Sequence, residues 1–168
     1  ELGEGPWKIV YKSHVKSWTP ENGTQAVADA FAGTEEQIDA VMCGNDGLAG
    51  YVIRSLSERQ LAGDVVVVGQ DADLEACQRI VEGTQAMTVF KPINDLAKEA
   101  AECTVKLAKG EQITGDLLDA SDVKENEDGQ KVPYYGLEPV AVTKENMDSV
   151  IISSGFHSRE EVYLNVEN

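Results

Sequence analysis

Four residues stand just beyond successive predicted strands: Trp18, Asn45, Asp71 and Lys91. In a parallel sheet the carboxyl ends of the strands lie along one edge, so residues tens of positions apart can converge there on one small ligand. Their chemistry suits a polyhydroxylated ring. An amide and a carboxylate accept from and donate to vicinal hydroxyls, a lysine adds charge-assisted donors, and an indole offers an apolar face to ring C–H groups. Each also has a plainer reading. Asn45 and Asp71, or Asp73 beside it, could cap the following helices, Lys91 could be a surface cation, and Trp18 could pack beside Pro20. Their coincidence at equivalent places favours a site.

The elements that position them alternate along the chain. Residues 65–68 (VVVV) are four β-branched residues in a row, which read as a central strand buried on both faces, and Gly69-Gln70-Asp71-Ala72-Asp73 follows at its carboxyl end. Ahead of it, 7–15 (WKIVYKSHV) reads as a strand and Ser17-Trp18 as a loop. Thr19 and Pro20 then form an N-cap and first helical residue, for a helix presenting Val27, Ala30 and Phe31 and ending at Gly33. Residues 38–43 (IDAVMC) form the next strand, closed by Gly44-Asn45-Asp46-Gly47 in the manner of Gly69-Gln70-Asp71. A helix over 48–59, one opening near Leu74, a short strand 87–90 and a longer helix from Ile93 to Gly110 complete four strand-then-helix units. This alternation predicts an α/β fold, a parallel sheet flanked by crossover helices.

Past Gly110 the pattern changes. The acidic stretch 122–129 joins two short strands as a hairpin tip, a short helix runs from Lys144 into 149–152, and Gly155-Phe156-His157 follows. A calcium loop is the sharper alternative for the acidic stretch, but the regular acidic spacing ending in glutamate is absent.

Composition narrows the function. With 14 Lys+Arg against 30 Asp+Glu in 168 residues, the net charge of -16 repels nucleic acid and anionic membranes. No apolar run approaches the roughly 20 residues that span a bilayer, and the first residues lack signal-peptide character. Cys43, Cys77 and Cys103 show no metal-type pairing and read as small buried residues. For catalysis there is no nucleophile elbow, P-loop or zinc motif, and His14 and His157 are far apart. Asp39 and Asp71 fall at opposite edges of the sheet, so they make no acid and base pair. A phospho-accepting role for Asp71 lacks the acidic pair after the first strand. No catalytic residue, metal or cofactor is assigned.

The succession Trp18-Thr19-Pro20-Glu21-Asn22, then 38–47, then Gly69-Gln70-Asp71-Ala72-Asp73, then 83–92 (GTQAMTVFKP) resembles the solute-binding proteins of ABC sugar importers, most closely the D-xylose-binding ones. The likeness extends through Val132-Pro133, Pro139 and Gly155-Phe156-His157. It implies a type I periplasmic-binding-protein fold, in which two α/β lobes joined by a three-crossing hinge close on a sugar. The residues matching Trp18, Asn45, Asp71 and Lys91 contact that sugar. On this resemblance 1–115 is the C-terminal sugar-binding lobe, incomplete at its start; 116–143 is a hinge crossing and a segment returning to the N-terminal lobe; and 144–168 is the tail and final crossing. It further implies an extracytoplasmic protein, periplasmic or at the cell surface with a lipid anchor, that hands a xylose-like monosaccharide or short oligosaccharide to an importer permease. A sugar sensor signalling to a membrane histidine kinase is the alternative, and a repressor effector domain is disfavoured by the charge. The chain resembles only the second half of such proteins. An earlier strand at the centre of this lobe is then missing, and the expectation is an exposed sheet edge that pairs with the N-terminal half, as a separate chain, or with another copy.

Overall fold

The computed structural model describes residues 7–111, 123–133 and 137–166. Its elements follow the predicted order: α1 Pro20–Gly33, β1 Ala40–Met42, α2 Asp46–Ser57, β2 Val66–Val68, α3 Leu74–Glu82, β3 Thr88–Phe90, α4 Ile93–Ala108, β4 Val123–Glu125, β5 Lys131–Pro133, β6 Val140–Val142 and α5 Arg159–Val162. Thr19 caps α1 as expected, its side chain accepting from Asn22 N at 3.4 Å, with Pro20 in the first turn.

β1 and β2 pair in parallel, Val41 opposite Val67. β3 joins β2 through a parallel bridge at Val68 and Met87, and β6 lies antiparallel to β3 with Phe90 opposite Val140. The described residues fall into two compact units, one holding Lys91 to Pro139 and the other everything before and after it. The chain therefore leaves and re-enters the first unit side by side, at Phe90 and Val140. The expected division at 115 lies outside the described residues, and α4 belongs to the same compact unit as the β4–β5 hairpin. The hairpin closes around Asn126, whose side-chain oxygen accepts from Asp128 N and Gln130 N, and the short helix expected after Lys144 is a π-turn over Asp148–Ile152.

Two apolar clusters hold the first unit. One gathers Val27 of α1, Ala49, Val52, Ile53 and Leu56 of α2, and Val65 and Val67 beneath β2. The other gathers Cys77, Ile80 and Val81 of α3 with Phe90, Val142, Met147, Ile151 and Val162. Each fully buried aliphatic side chain contributes roughly 2 kcal/mol.

Two expectations are corrected. The four-valine run is not buried on both faces: Val65 and Val67 are buried, but Val66 is 49% exposed, and Met42, opposite Val68 in the neighbouring strand, is 69% exposed. The residues alternate as in any strand, and the second face is only partly covered, with Val68 half-buried. Residues 7–15 form no strand at all, and Trp7 and Ile9 stand exposed. Strand propensity is realised only where a neighbour accepts the backbone bonds, and among the described residues β1 pairs with β2 alone.

Candidate functional site

The loops after β1 and β2 lie on the same sheet edge, because the strands are parallel, and backbone bonds lace them together. Cys43 N donates to Val68 O at 2.9 Å and Asp46 N to Gln70 O at 2.8 Å. Asp39 lies before β1, its carbonyl accepting from Val66 N, so it is at the other edge, as the sequence indicated.

Asn45 is the N-cap of α2, and its Oδ1 accepts from Leu48 N at 2.9 Å. The capping reading of Asn45 is therefore correct. Trp18 ends a 3-10 turn and reaches the same place: a Cβ added at Gly44 would come within 2.7 Å of its indole ring. Only glycine lets the ring lie over this backbone. The ring itself is 55% exposed, so the indole is presented and not spent as core. Asp71 is half-buried after β2, its N–H donating to Val89 O at 2.9 Å. The structure thus brings Trp18, Asn45 and Asp71 onto adjoining loops. Lys91 directly follows β3 and opens the other compact unit.

Backbone conformation singles out two of these residues. Five described non-glycine residues have positive φ, and four of them form the doublets Ser17 (58°) with Trp18 (56°) and Asp71 (107°) with Ala72 (57°). Such conformations cost on the order of 1–3 kcal/mol each and cluster at ligand clamps.

Beneath the loops lies a buried polar network that the sequence reading missed. The Asp46 carboxylate, 1% exposed, accepts from Gln85 Nε2 at 2.8 Å, Thr88 Oγ1 at 2.7 Å and Asp73 N at 3.1 Å. Arg79 orients this set, donating from Nε to Gln85 Oε1 and from Nη2 to the Asp46 carbonyl, both at 3.0 Å. A Cβ on Gly69 would sit 2.2 Å from Asp46 Oδ1, so the glycine opening the second loop makes room for the carboxylate of the first. Buried charges persist only when hydrogen-bonded in this way. Burial, followed by the charges of Asp46 and Asp71, raises the Asp73 carboxyl. Burial also pushes the Cys43 and Cys77 thiols up to about 12, with Asp46 adding to it, which leaves both as packing groups and not nucleophiles. Asp46, Gln85 and Thr88 all lie within the stretches singled out above, yet apolar periodicity carries no signal for polar groups that are buried together.

Among the described residues, no group of three or more His, Cys, Asp or Glu is placed to hold a metal ion, and no helix is long and apolar enough to cross a membrane.

The D-xylose-binding periplasmic protein of Haemophilus influenzae is 41% identical over 162 residues, which is 96% of this chain and 47% of the relative. The protein of the same name from Escherichia coli is 39% identical over 161 residues, again 96% and 47%. The chain thus spans about half the length of the curated relatives it matches. Among solved structures, a carbohydrate transporter solute binding protein from Chloroflexus aurantiacus in complex with D-glucose superimposes with a TM-score of 0.71 at 25% identity, over 86% of this chain and 42% of that one. Residues 1–112 match the model of the periplasmic binding protein domain, and the chain belongs to that family.

Proposed function

We propose that this chain is the sugar-binding C-terminal part of an extracytoplasmic solute-binding protein, which captures a xylose-like monosaccharide or short oligosaccharide and delivers it to the permease of an ABC importer. The observation that carries the reading is the pair of left-handed doublets: the chain accepts strain at Trp18 and at Asp71, on adjoining loops, where an aromatic face and a carboxylate are what a sugar requires. Asn45 supplies an amide donor between them, and Lys91 is proposed as a fourth ligand on the family resemblance. Capture without conversion accords with the names of the relatives, which are binding proteins, and no feature of the chain favours the sensor role over transport.

The N-terminal half is proposed as the partner that completes the molecule, on the same polypeptide or a separate one. Three features support this: the stretch 7–15, which forms no strand among the described residues, the exposed Met42 and Val66, and α4, none of whose residues is buried although Ile93, Leu96, Val105 and Leu107 are apolar. The location is proposed as periplasmic or cell-surface, by analogy with the relatives.

Calorimetry with D-xylose on the complete protein containing this chain tests the site. Asp71→Ala should remove measurable binding, a loss of up to about 10⁴-fold, because the hydroxyls it serves are left unpaired. Trp18 emission should change on titration, and that of the exposed Trp7 should not. Unaltered affinity in a folded Asp71→Ala protein would remove Asp71 from the site.

A further inference from the structure

The strained doublet at Asp71 and Ala72 is held from three directions. The N–H of Asp71 is fixed by Val89 O at 2.9 Å, the N–H of Ala72 by Thr88 Oγ1 at 3.1 Å, and the N–H of Asp73 by Asp46 Oδ2 at 3.1 Å. All three acceptors belong to β3 or to the first residue of α2. The carbonyl of Ala72 is held by a residue from the far end of the chain: His157 Nε2 lies 2.8 Å from it. The Cys77 thiol approaches the same oxygen at 3.7 Å, a weaker donor. A carbonyl only accepts, so Nε2 carries the hydrogen, and the neutral imidazole is the Nε2–H tautomer. The ring is set in place by aromatic contacts: it lies 4.6 Å from the Phe156 ring, which meets Phe90 edge-on at 4.9 Å. Phe90 is the last residue of β3.

We propose that His157 is a positioning residue for sugar recognition: by holding the Ala72 carbonyl it keeps the left-handed doublet that presents the Asp71 carboxylate. This rests on Asp71 being a sugar ligand. A loop whose native conformation is strained stays there only while its surroundings over-determine it. His157 reaches this loop from the C-terminal segment, so its removal leaves the Ala72 carbonyl to the weaker Cys77 thiol. The loop then spends part of its time in relaxed conformations that aim the carboxylate elsewhere, and apparent affinity falls with the competent fraction.

The test uses the complete protein, with D-xylose and D-glucose as probes in calorimetry and thermal unfolding recorded in parallel. His157→Ala should weaken binding roughly 10-fold, and His157→Gln, whose amide nitrogen can reach the position of Nε2, should recover most of that loss. In the unaltered protein, nitrogen NMR at mildly alkaline pH should show His157 as the Nε2–H tautomer, a measurement that stands even where His157→Ala fails to fold. Asp71→Asn serves as the control for the site itself. Weakened binding in Asp71→Asn together with undiminished binding in His157→Ala would overturn the positioning role and leave the site intact. Equal losses in His157→Ala and His157→Gln, or an Nδ1–H tautomer, would overturn it as well. If the unaltered protein binds neither sugar, the sugar-binding reading fails and this inference with it.

Discussion

The loops after β1 and β2 begin almost alike, Gly44-Asn45-Asp46 and Gly69-Gln70-Asp71, and they put their aspartates to opposite uses. Asp46 turns inward, buried beneath both loops with three donors on its carboxylate. Asp71 sits half-buried on a backbone at φ 107°. The glycines differ in the same sense, since Gly44 leaves room for the Trp18 indole and Gly69 leaves room for Asp46. Equivalent places in a repeated pattern therefore differ in structure: the first loop supplies the buried anchor, and the second is bent around it. The bend is stable because its N–H groups end on Asp46, Thr88 and the β3 backbone.

The largest test of that difference is Asp46→Ala in the complete protein. Leaving the three donors unpaired in the interior should cost at least about 3 kcal/mol, read by denaturant unfolding. Asp71→Ala should leave the unfolding midpoint within about 1 kcal/mol of the parent. Equal costs at the two aspartates would erase the distinction. The glycines come next. Gly69→Ala drives a methyl into the Asp46 carboxylate and should destabilise by about 3 kcal/mol, whereas Gly44→Ala meets an exposed indole that can swing away. That second change should cost under about 0.5 kcal/mol of stability yet weaken sugar binding about 10-fold through the displaced ring. Similar melting shifts for the two would show that Trp18 is fixed as core. One effect has the reverse sign. Asp71→Gly relieves the positive φ and should raise stability by about 1 kcal/mol while sugar binding is lost. A drop in stability would mean that the Asp71 side chain itself supports the loop.

Most elements were legible because each is dictated by local pattern. Thr19-Pro20 starts a helix by capping and fixed φ, and 46–57 and 74–82 carry apolar residues at helical spacing, the first capped by the Asn45 side chain and the second preceded by Asp73, whose side chain makes no cap bond. The sheet edge carrying Trp18, Asn45 and Asp71 could be placed for the same reason, since parallel strands put their carboxyl ends together. Residues 7–15 and the four-valine run read less well. Periodicity and propensity report what a strand would bury, and whether a neighbour exists to bury it against is decided elsewhere in the molecule.

Sequence alone determined the order of strands and helices, the α/β class and the positions along the sheet edge where a ligand could be met. Tertiary structure decided which aspartate is the buried anchor, because Gly-Asn-Asp and Gly-Gln-Asp are locally equivalent until Gln85, Thr88 and Arg79 arrive from beyond β2. It also decided that Ala72 is held by His157, 85 positions away along the chain. A strained loop takes its shape from partners that are distant in sequence, so no window of residues around it contains the forces that bend it.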